Sequence, residues 1–149
     1  MDVLAVLTVV VVGVLVGVEF AVAVFVNPIM DRMPGTAGLA ARSDGARVLG
    51  RVMPFWYVGA LLLGVAWIVL AWGSAAVAPV GVGAGLLVVA VVLSVVFLVP
   101  INDRARTWSE GGAPADWRDQ LARWDRLHVL RTALLVAAFA AVAIGLLAL

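Results

Sequence analysis

Cysteine and lysine are both absent from this chain of 149 residues, and there is one histidine and one tyrosine. Without cysteine there are no disulfide staples, no thiol redox chemistry and no thiolate metal sites, which excludes the membrane oxidoreductases that work through paired thiols. A lone histidine leaves only a carboxylate-rich metal set around Glu19. A metal is therefore disfavoured, and no cofactor is expected. Charge is scarce as well: 13% of residues are charged, and the net charge of +1 says little about partners because the charges are segregated along the chain; no nucleic-acid partner is expected.

What is present is apolar. Hydrophobic residues make up 65% of the chain, gathered into four runs at about 3–28, 54–73, 79–100 and 127–148, each long enough to cross a bilayer. The expectation is an all-α integral membrane protein, one domain, folded as a four-transmembrane-helix bundle with the lipid bilayer as its solvent. Ala21-Val22-Ala23 has the form of a signal-peptide cleavage site. Asp2, the lack of an early basic residue and the length of the run argue against cleavage. All ten basic residues are arginines in, or bordering, the polar segments after runs one and three. The positive-inside rule puts those segments in the cytoplasm and both termini outside, in the cell membrane.

Local signals set the expected boundaries. Asn27-Pro28 and Pro100-Ile101-Asn102-Asp103 close the first and third spans, because the residue before proline avoids the helical region. Pro34-Gly35 reads as a turn and Thr36 as a cap. Leu39, Ala46, Leu49 and Met53 then suggest an amphipathic helix lying at the interface in the first cytoplasmic loop, ahead of a span that starts at Pro54. Asp116 caps a helix that continues into the fourth span. Trp56 and Tyr57 at one end of span two, with Trp67 and Trp72 at the other, read as interfacial anchors. Gly13 and Gly17, Gly81 and Gly85, and the stripe Ala133, Ala137, Ala141 and Gly145 are candidates for close helix contact.

The ionisable residues inside the spans carry the functional signal. Trp124, His128 and Arg131 are spaced i, i+4, i+7 on one helix face, which must look at protein or water. Glu19 lies eight residues, about 12 Å, deeper than Asn27. The expectation is a pairing of Glu19 with Arg131 in the bundle interior, with Asn102 and Asp125 ringing the mouth of an apolar pocket. Each residue also has a plainer reading. Glu19 with Arg131 serves as a structural ion pair, His128 as an interfacial residue on a backbone carbonyl, Asn27 and Asn102 as caps of freed backbone groups, and Trp124 as a belt anchor.

Four spans, Asn27-Pro28, Pro100-x-Asn102 and Trp124-x3-His128-x2-Arg131 together resemble the anthrone oxygenase family of small membrane proteins. The resemblance implies oxidation of an activated aromatic methylene by dioxygen as co-substrate, as when an anthrone of polyketide type becomes an anthraquinone. It implicates Asn27, Asn102, Trp124, His128 and Arg131; the role of Glu19 rests on the bilayer argument alone. In that chemistry His128 or Glu19 is the base, Arg131 and Asn102 hold the oxyanion, and Trp124, with Asn27 and Asp125 at the mouth, binds the hydrophobic small-molecule substrate. Two other readings stand beside it. A lone glutamate in the first of four spans also suits a proton-coupled transporter of hydrophobic compounds, and a non-catalytic accessory membrane subunit needs the polar cluster only for assembly. Oligomeric state is left open.

Overall fold

The computed structural model describes residues 2–149, and among them it contains helices and no strand. Four helices are long and apolar enough to cross a membrane: α1 (Asp2–Asp31), α2 (Ala37–Leu70), α3 (Val77–Gly111) and α4 (Trp117–Leu147). The connections between them are short, so consecutive helices run antiparallel. Each helix packs on its neighbours in sequence, and α4 closes the ring on α1. Outward positions are Val, Leu, Ile and Phe, as lipid requires of a multi-pass membrane protein.

The inward seams repeat about every 3.5 residues, which keeps one stripe facing the bundle. On α4 that seam is His128, Thr132, Leu135, Ala138, Val142 and Gly145. Because His128 must point inward, Ala133 and Ala137 of the expected alanine stripe fall on the exposed face. Close approach uses other glycines than Gly81 and Gly85. A Cβ at Gly83 would come within 2.6 Å of Val142 and 2.9 Å of the Ala138 carbonyl, and one at Gly145 would strike Val80, whereas Gly17, Gly81 and Gly85 face open space. Gly13 alone of the first pair is in contact, against Phe139.

The prolines do not end their helices. A π-turn at Val22–Val26 precedes Asn27-Pro28, a second at Ser94–Leu98 precedes Val99-Pro100, and both helices continue beyond. In each case the residue before the proline donates its N–H five residues back, Asn27 to Val22 and Val99 to Ser94. The widened turn accommodates a ring that cannot donate and would otherwise crowd the carbonyl four residues earlier. Helix α2 runs unbroken through Pro54.

Both π-turns occupy the same place in a repeat of 72 residues. Val24-Phe25-Val26-Asn27-Pro28-Ile29-Met30-Asp31-Arg32 recurs as Val96-Phe97-Leu98-Val99-Pro100-Ile101-Asn102-Asp103-Arg104, and Gly13-Val14-Leu15-Val16 as Gly85-Leu86-Leu87-Val88. The bundle is two helical hairpins, α1–α2 and α3–α4, of common design.

The segment expected to lie flat at the interface is instead the start of α2. Its apolar residues Leu39 and Ala46 pack, partly buried, against Trp108, Ala105 and Leu121 of the other polar segment. Arg47 adds hydrogen bonds to the Arg106 carbonyl at 3.1 Å and to Glu110 at 3.0 Å. The two polar segments thus form one cap over the end of the bundle. Thr36 and Asp116 occupy their N-cap positions without capping through the side chain. The Asp116 carboxylate accepts from Gln120 instead.

Candidate functional site

Under the cap, a cavity of about 260 Å³ is lined by all four helices. Its polar wall is a network on Arg131. One nitrogen of this guanidinium, Nη2, donates to Glu19 Oε2 at 2.6 Å and to His128 Nδ1 at 2.9 Å, and Nη1 donates to Ser94 Oγ at 2.9 Å. The Tyr57 hydroxyl donates to the other Glu19 oxygen at 2.8 Å. Glu19 is 3% exposed and His128 1%. A buried acid of this kind persists only with such partners.

The histidine tautomer follows from its neighbours. A guanidinium cannot accept, so Nδ1 must; a carbonyl cannot donate, so Nε2, 3.1 Å from the Glu19 carbonyl oxygen, must carry the proton. The 3.4 Å approach of Nδ1 to Glu19 Oε2 is then two acceptors sharing one donor, not an ion pair. Trp124 stacks on the imidazole, ring centroids 4.5 Å apart and 22° from parallel. Two donors of this wall are buried without a partner, Arg131 Nε and the Trp124 indole Nε1.

A second cluster lies toward the cap. Arg42 is bidentate to Asp31, at 2.9 and 2.7 Å, and to Asp125, at 2.9 and 2.7 Å. Asn27 Nδ2 donates to the same Asp125 at 2.9 Å. Asn27 therefore does not cap freed backbone, and Asp125 is taken up in tying α1, α2 and α4 together. Asn102 lines the cavity, half-buried, on the α3 wall. Glu19, Asn27, Asn102, Trp124, His128 and Arg131 thus share one cavity. Asp125 faces the cap side with Asp31 and Trp117.

Three residues of the network escape a reading by hydropathy alone. Tyr57 looks like a belt aromatic but is 5% exposed and holds Glu19. Its signal is phase: Tyr57, Ala60, Gly64 and Trp67 form the buried seam of α2. Trp67 is likewise fully buried, and only Trp72 of the four expected anchors stands well out, at 79% exposure. Arg42 continues that seam backward through Ala46, Leu49 and Met53, which marks it as inward among arginines that face out. Ser94, at the start of a π-turn, carries no such signal.

Searches among curated proteins and among solved structures gave no match. The family described as Anthrone oxygenase matches residues 50–141, well over half of the chain, including Tyr57, Ser94, Asn102, Trp124, His128 and Arg131. The chain belongs to the anthrone oxygenase family.

Proposed function

We propose that the protein oxidises a fused-ring aromatic with an activated methylene, of anthrone type, using dioxygen and no resident cofactor. The observation that carries this reading is one apolar cavity whose lining gathers Glu19, Asn102, Trp124 and Arg131. Arg131 Nε and Trp124 Nε1 are buried in that wall without a partner, a cost on the order of 1–3 kcal/mol each that a carbonyl oxygen of the substrate would recover if the side chains turn toward it on binding. The interaction strengthens as that oxygen gains charge.

In the proposed sequence Glu19 removes a proton from the methylene, and the electron pair delocalises onto the carbonyl oxygen held by Arg131 and Trp124. The carbanion reduces dioxygen to a carbon-bound hydroperoxide, which takes up the proton. Loss of water, with the second C–H bond and the O–O bond broken, leaves a ketone. One dioxygen is consumed and one water released for each methylene converted to carbonyl. His128 has its lone pair on Arg131, so in this scheme it positions the guanidinium and the stacked indole.

The same contacts weigh against the transporter reading. A transporter acid must let go of Arg131 and Tyr57 altogether to take up a cationic cargo, whereas a base need only accept a proton on a lone pair that its one donor per oxygen leaves free. The deciding experiment supplies anthrone to purified protein in detergent and follows anthraquinone absorbance and oxygen uptake, with and without chelator. One oxygen consumed per quinone formed, insensitive to chelation and lost in Glu19→Gln, is the expected result. No turnover by the wild type, with drug resistance that vanishes in Glu19→Gln, would establish the transporter instead.

A further inference from the structure

The two halves of the repeat make two equivalent seams, α1 with α4 and α2 with α3, but the residues that fill them differ. The α1–α4 seam is sealed by polar links: Asn27 to Asp125 at 2.9 Å, and His128 to the Glu19 carbonyl at 3.1 Å. Shifted by 72 residues, Asn27 and Asp125 correspond to Val99 and Met53, and Glu19 and His128 to Val91 and Trp56. None of these four can repeat the side-chain link of its counterpart, since the one polar group among them, the Trp56 indole N–H, is spent on the Val11 carbonyl at 3.2 Å. Met53, Val91 and Val99 are instead part of the cavity wall.

The cavity reaches the outer surface along this second seam. Val58, Val95 and Val99 line it while being 55%, 60% and 41% exposed, whereas its lining residues on α1 and α4 are all buried or half-buried. These valines belong to α2 and α3, both long and apolar enough to cross a bilayer. The cap closes the end of the bundle above, through Trp108, Leu121 and the Arg42 cluster.

We propose that the α2–α3 seam is a lateral portal through which a flat apolar fused-ring molecule passes from the bilayer into the cavity, with Val58 and Val95 as its lips. A solute of this kind concentrates in the hydrocarbon, and a side opening lets it reach Arg131 and Trp124 without crossing water or opening the ion-paired cap. The sealed α1–α4 seam keeps water and lipid from the back of the polar network. The chemical class of the substrate rests on the oxygenase reading; the opening itself rests on the two seams.

The absence of cysteine allows a direct test. Val58→Cys with Val95→Cys is bridged by a bis-methanethiosulfonate reagent, whose two disulfides dithiothreitol reverses. The control is the matching pair on the other seam, Ala23→Cys with Leu130→Cys. The probe is 2-azidoanthraquinone dissolved in the bilayer of proteoliposomes, photolysed, with labelled peptides mapped by mass spectrometry. Labelling of the cavity-lining Tyr57 and His128, both buried from the outer surface, is expected in the unbridged protein. The portal bridge should remove it and reduction restore it, while the control bridge leaves it unchanged. Cavity labelling that survives the portal bridge, or that disappears with the control bridge, overturns the proposal. If labelling behaves as expected and anthrone is not oxidised, the oxygenase reading fails and the portal stands.

Discussion

Arg131, from α4, reaches across the bundle to Glu19, on α1, and the two side chains meet at 2.6 Å with 11% and 3% of their surfaces exposed. A pair so buried is costly to break from one side. Arg131→Ala strands the carboxylate, at a cost of about 3 to 5 kcal/mol, and should lower the melting temperature in detergent and abolish turnover together. The double variant Glu19→Gln with Arg131→Gln removes both charges. It should regain most of the stability with no activity, because base and oxyanion donor are both gone. Activity in the double variant would show that the pair is scaffold only.

His128 distinguishes positioning from proton transfer. Loss of a general base costs roughly 10²- to 10⁴-fold in rate. His128→Asn removes the imidazole but keeps an oxygen that can accept from Arg131. It should therefore retain turnover to within about tenfold, well short of that general-base penalty, with the pH–rate profile of the wild type, while His128→Leu, without an acceptor, should lose it. Equal losses in both variants would return the base to His128.

Much of this was legible in the chain, for a reason specific to lipid. A bilayer cannot solvate Glu19 or Arg131, so their places in apolar runs already require that they face each other or water. Tyr57 was hidden by the same reasoning, since an aromatic near a span end has two good homes. The phase of the α2 seam chooses between them only once that seam is known. The prolines misled because Pro28 and Pro100 are read as terminators, and a π-turn that admits them leaves no mark in hydropathy. The repeat of 72 residues is in the sequence, but apolar runs resemble one another too freely for it to stand out. The matching π-turns are what make it visible.

Arg42 is the clasp of the cap, bound to Asp31 and Asp125. Both acids keep contact with water, 49% and 34% exposed, so the loss in Arg42→Ala is set nearer that of charged hydrogen bonds, about 1 to 3 kcal/mol, than that of a fully buried pair. Arg42→Lys should recover only part of it, because an ammonium cannot serve two carboxylates in bidentate fashion. Thermal unfolding of the three proteins in one detergent measures the order. A lysine variant as stable as the wild type would show that charge alone matters.

The arginine distribution predicts orientation. Ala75 and Ala115 are exposed in the connections at opposite ends of the bundle. As single cysteines in spheroplasts, Ala75→Cys should react with an impermeant maleimide, and Ala115→Cys only after permeabilisation. Reaction of both from one side would contradict the four-span topology; reaction of Ala115→Cys alone would invert it.

Glycine placement gives the most local test of the bundle. Gly83 lies where α3 meets α4 so closely that a side chain would strike Val142 and the Ala138 carbonyl. Backbone cannot yield as a flexible side chain can. Gly81, two residues away on the same helix, faces open space. Gly83→Val should therefore force α3 and α4 apart, at the usual cost of overpacking, about 1 to 3 kcal/mol or more, whereas Gly81→Val should be near neutral in stability. Both substitutions add the same apolar group to the same helix, so the contrast isolates packing from hydrophobicity and helix propensity. The two variants are compared by thermal unfolding and by anthrone turnover, since moving α4 also displaces His128 and Arg131. Equal stability of the two would mean that α3 and α4 do not approach as closely as Gly83 requires.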